Sequence, residues 1–249
     1  MHLIEINCIR GPTQYRNPLA ASVAGVAIVR RLNGREEVRM TWRITSTAVL
    51  AIMLLSPDFT TAAAAGALEQ TIDDCESCHG EGGASSHENI PVIGGMSSFY
   101  LDAQLHAYQD GYRPCVEVEY PAGPEQGEMG DMCEEVEGLS DQQISAIADY
   151  FAEQPFVVPD QETNPDLVAQ GENLHQQHCA KCHSEGGGLA FDDAGILAGQ
   201  WRGYLEQTFE EYRTGERWQP EKMAPKMEQL SDDESSALIE FYVAQEPLE

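Results

Sequence analysis

Two short runs of the chain, Cys75-Glu76-Ser77-Cys78-His79 and Cys179-Ala180-Lys181-Cys182-His183, hold two thiols three residues apart with a histidine directly after the second. On one helical turn both thiols reach the vinyl groups of a single haem and form thioethers, while the adjacent imidazole reaches its iron. A lone Cys-x-x-Cys fits zinc or a redox dithiol as well. Two copies, each followed by histidine, point instead to two covalently bound haem c groups.

The runs belong to a longer repeat. Shifted by 104 residues, Gly82-Gly83 meets Gly186-Gly187, Gly95 meets Gly199, Tyr100-Leu101 meets Tyr204-Leu205, Tyr108 meets Tyr212 and Arg113 meets Arg217. Beyond Arg113 the offset becomes 91, pairing Met132 with Met223, Leu139-Ser140-Asp141 with Leu230-Ser231-Asp232, and Tyr150-Phe151 with Phe241-Tyr242. The chain is a duplicated domain whose first copy carries 13 extra residues.

A haem iron held by a second protein ligand mainly passes electrons, whereas one with an open position binds oxygen or peroxide. Met132 and Met223 are the expected sixth ligands, because they stand at equivalent places, seven residues before Leu-Ser-Asp. Met96, Met129 and Met227 are rivals, but none has a methionine counterpart. His87, His106, His175 and His178 also lack histidine counterparts. The expected ligand sets are His79 with Met132 and His183 with Met223, closed and of high potential.

Seven cysteines include the four in the two motifs, Cys8 near the start, and Cys115 with Cys133. That remaining pair brackets the insertion and is expected as a disulfide. It would close a loop rich in proline, glycine and glutamate, worth about 3 kcal/mol in the chain-entropy model.

The elements that must position these groups read as helical. Ser231-Asp232-Asp233-Glu234 caps a stretch with Ala237, Leu238, Phe241 and Tyr242 at helical spacing, and its twin opens at Ser140-Asp141. Helices also fit Ser98 to Gln109 and Tyr204 to Arg213, and Val157 to Pro165 reads as a linker. The expected divisions are an upstream extension (1–39), a signal peptide cut near Ala65 (40–65), a first domain (66–156), a linker (157–166) and a second domain (167–249). The leader reading rests on Trp42-Arg43, the apolar run Ile44 to Leu55 and the small residues after Thr60. That run is shorter than the roughly 20 residues a membrane span needs, so the expected location is periplasmic, without a stable span.

Residues 66–249 hold 7 basic against 38 acidic side chains, a net of −31. Nucleic acid is excluded as a partner on charge. Five of the basic residues, Arg202, Arg213, Arg217, Lys222 and Lys226, fall in the last 50 residues.

Residues 68 to 246 resemble tandem class I cytochromes c, which implies an all-α fold of two domains, each wrapped around one haem. Pro91 stands where that family commonly supplies a carbonyl to orient the haem histidine, and the second copy has no proline there. The second half, through Leu174-His175, Glu185-Gly186-Gly187, Ile196-Leu197-Ala198-Gly199-Gln200-Trp201 and Lys222-Met223-Ala224, looks like the dihaem subunit of flavocytochrome c sulfide dehydrogenase. This implies a heterodimer in which a separate FAD-containing subunit oxidises sulfide and the cytochrome accepts the electrons, without being catalytic alone. The alternatives are a free dihaem carrier serving a terminal oxidase and, behind it, a dihaem peroxidase or thiosulfate-oxidising enzyme.

Overall fold

The computed structural model describes residues 59–248, with side chains from residue 66 onward. The expected extension, Cys8 and most of the expected leader lie outside the described residues. Helix α1 (Phe59–His79) begins ahead of the expected cut near Ala65 and ends on the first attachment histidine. The order continues α2 (Ser98–Gln109), β1 (Val118–Glu119), β2 (Met129–Gly130), α3 (Met132–Val136) and α4 (Asp141–Ala152). The second half runs through α5 (Pro165–His178), the short turn α6 (Ser184–Gly187), α7 (Arg202–Thr214), α8 (Ala224–Met227) and α9 (Asp232–Val243).

Local chemistry explains most of these boundaries. Ser140 Oγ accepts from Gln143 N while the Gln143 side chain reaches back to the Ser140 backbone, and Ser231 and Glu234 do the same at α9. Asp131 Oδ1 accepts from Cys133 N at 2.7 Å and Glu134 N at 3.1 Å, which starts α3 at Met132. Helix α4 ends at Ala152 and Asn164 caps α5, so the link between halves starts before Val157 and Pro165 is already helical. Proline suits a first helical turn because the amide it lacks has no intrahelical partner there.

The fold is helical except where the insertion lies. There Val118 pairs with Gly130 and Glu119 with Met129 in an antiparallel ribbon of two residues per strand. A bond between Cys115 and Cys133 closes its base, with a Cα–Cα distance of 5.6 Å.

Two apolar cores hold the chain together. The second-half core gathers Leu205, Phe209, Met227, Leu238, Phe241 and Tyr242. Helices α5 and α9 meet so closely there that a Cβ on Gly171 would lie 2.0 Å from Ala237 O. The first-half core contains Met96, Leu101, Ile147, Ala148 and Phe151 together with Ile196 and Ala198 from the second half. The halves therefore share buried surface as well as sequence. Among the described residues, no helix is long and apolar enough to cross a membrane.

Candidate haem-binding sites

Helix α1 carries Cys75, Cys78 and His79 to the wall of an apolar cavity, and α3 brings Met132 to the same cavity. His79 is buried, and its Nδ1 donates to Pro91 O at 2.9 Å. Burial holds its pKa below the ordinary histidine value, although the Pro91 bond opposes this. The ring is neutral, with Nε2 carrying the lone pair a metal requires. Burial, with the nearby Glu135 and Asp74 carboxylates, pushes the Cys75 thiol up to about 12.

The second cavity is lined by residues that include Cys179, Cys182, His183, Met223 and Met227. Burial, with help from neighbouring His175, pushes His183 down to about 4. Its enclosed Nδ1 has no hydrogen-bond partner. The carbonyl that Pro91 supplies in the first half has no working counterpart here.

Neither cavity's second methionine is singled out by lining alone, since Met96 borders both and Met227 the second. Met96 and Met227 also belong to the packed cores, while Met129 is 57% exposed on the ribbon. His175 is fully buried, with Nδ1 3.1 Å from Tyr242 Oη and its ring against Phe241. Of the other histidines, His178 lies at the second cavity's rim, and His106 lies 3.1 Å from Asp102.

Met96, Tyr100, Gln104, Arg113 and Tyr204 line both cavities, which makes one wall common to them. Two buried guanidiniums stand at this wall. Arg113 stacks on Tyr108 at 4.3 Å and Arg217 on Tyr212 at 4.7 Å. Arg217 lies 3.6 Å from the buried Glu211 carboxylate. Arg113 has no ion pair with a carboxylate among the described residues, and its Nε is a buried donor without a partner. Burial would raise the Tyr204 phenol, but Arg113 and Arg217 outweigh it and hold the pKa below the ordinary tyrosine value.

The arrangement fits a tetrapyrrole with acidic side chains: an apolar cavity, the attachment cysteines, a buried imidazole of lowered pKa, methionines in the lining, and buried cations at the common wall. Sequence periodicity gave no sign of the shared wall, although Arg113 and Arg217 stood out as repeat counterparts. Gln104, central to the seam between halves, faces Thr208 in the repeat and carried no signal, while Gln200 faces Met96 and stood out only within the run that carries the second half's resemblance.

The cytochrome c family model matches residues 63–154, and the model for cytochrome c oxidase, cbb3-type, subunit III matches residues 166–241. Cytochrome c4 of Pseudomonas aeruginosa is 34% identical over 164 residues, spanning 62% of this chain and 73% of the relative. A thiosulfate dehydrogenase electron acceptor of Stutzerimonas stutzeri is 32% identical over 88 residues, 35% of each protein. The crystal structure of reduced cytochrome c4 from Pseudomonas stutzeri superposes with a TM-score of 0.58 at 27% identity, covering 73% of this chain and 98% of that one. With a cavity beside the attachment motif in each of two repeated halves, this chain belongs to the cytochrome c4 family: it is an electron-transfer protein with two covalently bound haem c groups.

Proposed function

We propose that the chain is a periplasmic two-centre relay that takes electrons from an enzyme oxidising an inorganic sulfur compound and passes them to a separate acceptor. The observation that carries this reading is the wall common to both cavities, which brings the two centres together inside one chain. A bound haem supplies one-electron exchange between ferric and ferrous iron. The chain's residues do the rest. Cys75 and Cys78, and Cys179 and Cys182, anchor the two groups. His79 with Met132, and His183 with Met223, would hold the two irons, leaving no position for exogenous ligands, and Arg113 and Arg217 would neutralise the acidic side chains of the groups at the common wall.

All three lysines of the chain, Lys181, Lys222 and Lys226, border the second cavity. In a protein so acidic, this is a local cationic rim suited to an acidic partner. The relatives named as thiosulfate dehydrogenase electron acceptors favour a sulfur-oxidising donor.

A second reading, the cytochrome subunit of a flavoprotein sulfide dehydrogenase, is favoured by the Gln200-Trp201 region and its neighbours in the second half. That region is occupied at the seam: Trp201 Nε1 donates to Ser85 O at 2.9 Å, and the Tyr204 backbone N–H to Glu88 O at 2.8 Å. Such contacts serve any tandem two-haem chain and do not require a flavin partner.

Purification from the native periplasm separates the two readings. The carrier is expected as a flavin-free protein whose haems are reduced by thiosulfate only when a thiosulfate dehydrogenase is added. A stoichiometric FAD protein and sulfide-driven reduction would select the second reading, and turnover of thiosulfate or peroxide by the chain alone would overturn both.

A further inference from the structure

Gln200 belongs to the second half, yet both polar atoms of its side chain bond the backbone of the first. It is fully buried, as is Val92. Its Oε1 accepts from Val92 N at 2.9 Å, and its Nε2 donates to Val92 O at 2.8 Å. The glutamine is itself fixed from behind, since its backbone carbonyl accepts from Gln161 Nε2 at 3.1 Å and its Oε1 also accepts from Trp201 N at 3.0 Å.

The amide N–H of Val92 and the carbonyl of Pro91 are two ends of one planar peptide unit. Gln200 takes the N–H end, and His79 Nδ1 donates to the carbonyl end at 2.9 Å. The contacts therefore form a directed chain, from the His79 ring N–H through the peptide plane to Gln200 Oε1. Hydrogen bonds in series polarise one another, so an acceptor on Val92 N makes the Pro91 oxygen a stronger acceptor for His79. A stronger acceptor makes the imidazole richer in electrons and holds the ring at one orientation.

The relay is one-sided. Gln200 corresponds to Met96 in the repeat and Pro91 to Gly195, and His183 Nδ1 has no partner at all.

We infer that Gln200 is a positioning residue for the first haem, setting the electron richness of His79 from the opposite domain through the Pro91–Val92 peptide. The inference rests on the ligand set His79 and Met132. Loss of the glutamine weakens the His79 bond, disfavours ferric iron, and moves the first haem's midpoint upward while the second stays in place.

The test is Gln200→Leu in the holoprotein. Each haem is followed by its own NMR-resolved methyl resonances during potentiometric titration, alongside solvent exchange of the His79 Nδ1 proton. The expected result is an upward shift of the first haem alone, with exchange of that proton about tenfold faster, the effect of weakening one neutral hydrogen bond. Trp201→Phe removes a different tie across the same seam, to Ser85 O, and is expected to move neither haem. Equal shifts of both haems, no shift, or the same shift in Trp201→Phe would overturn the inference.

The wild-type protein provides a measurement that needs no variant to fold. As denaturant is added, the Val92 amide and the His79 ring proton are expected to open to exchange in one step, and independent opening would overturn the relay. A His79 ring resonance without a paramagnetic shift would overturn the ligand set itself, and with it the inference.

Discussion

Arg113 and Arg217, counterparts in the internal repeat, donate to the same atom: Gln104 Oε1 accepts from Arg113 Nη1 at 3.1 Å and from Arg217 Nη2 at 2.7 Å. The repeat alone would give each arginine its own acceptor. Position 104 is glutamine in the first copy and threonine in the second; Arg217 keeps Thr208 Oγ1 at 3.4 Å as an acceptor of its own, and Gln104 adds one carbonyl that ties both guanidiniums across the seam.

Gln104→Leu strips that acceptor from two buried cations. The expected cost is about 2–4 kcal/mol, since donors stripped of a buried acceptor bear their desolvation. Urea unfolding of the holoprotein measures it, and a change below about 0.5 kcal/mol, the range of an ordinary surface substitution, would show that Gln104 is not shared in solution.

Met132→His and Met223→His each replace a thioether with a nitrogen ligand, which lowers a haem's potential. Each variant should lose the far-red band of the iron–thioether bond at one centre only. Titration of both variants should show one midpoint falling and the other holding. Unchanged spectra would return the assignment to Met96 or Met227.

Cys115→Ser with Cys133→Ser opens the base of the ribbon. Stability should fall by about 3 kcal/mol in the chain-entropy model. Because Cys133 follows Met132 directly, the first haem's thioether band should vanish at lower urea than in the wild type, while the second haem's band keeps its midpoint.

Lys181, Lys222 and Lys226 changed together to Gln should slow oxidation of the second haem by anionic ferricyanide about tenfold at low salt, and should flatten the salt dependence. Stopped-flow mixing against cationic hexaammineruthenium should show the opposite trend. Equal responses to the two reagents would place the contact elsewhere.

Local patterns carried most of the fold. The bounds Ser98 to Gln109 match α2 because Ser97 caps it through Tyr100 N at 3.1 Å, a signal written in adjacent residues. Ser140 and Ser231 opened their helices for the same reason. The attachment motifs and the repeat likewise needed only spacing.

What stayed hidden depends on distant partners. Gln200 and Val92 stand 108 residues apart, and nothing near either residue announces the pairing. The ribbon was hidden differently: strands of two residues have no alternation to read, and the buried Tyr120, just past the first strand, bonds Glu135. With no second proline, some other group is expected to accept from His183, yet its Nδ1 is left without a hydrogen-bond partner, which spacing alone could not show.

The crossing of α5 and α9 sets a limit on variation at one codon. Any side chain at position 171 begins with a carbon 2.0 Å from Ala237 O and 2.6 Å from Phe241 Cβ. The first copy has Ala67 at the matching place, exposed rather than wedged. A saturation library through both codons should therefore return nearly every residue at 67 and glycine alone at 171.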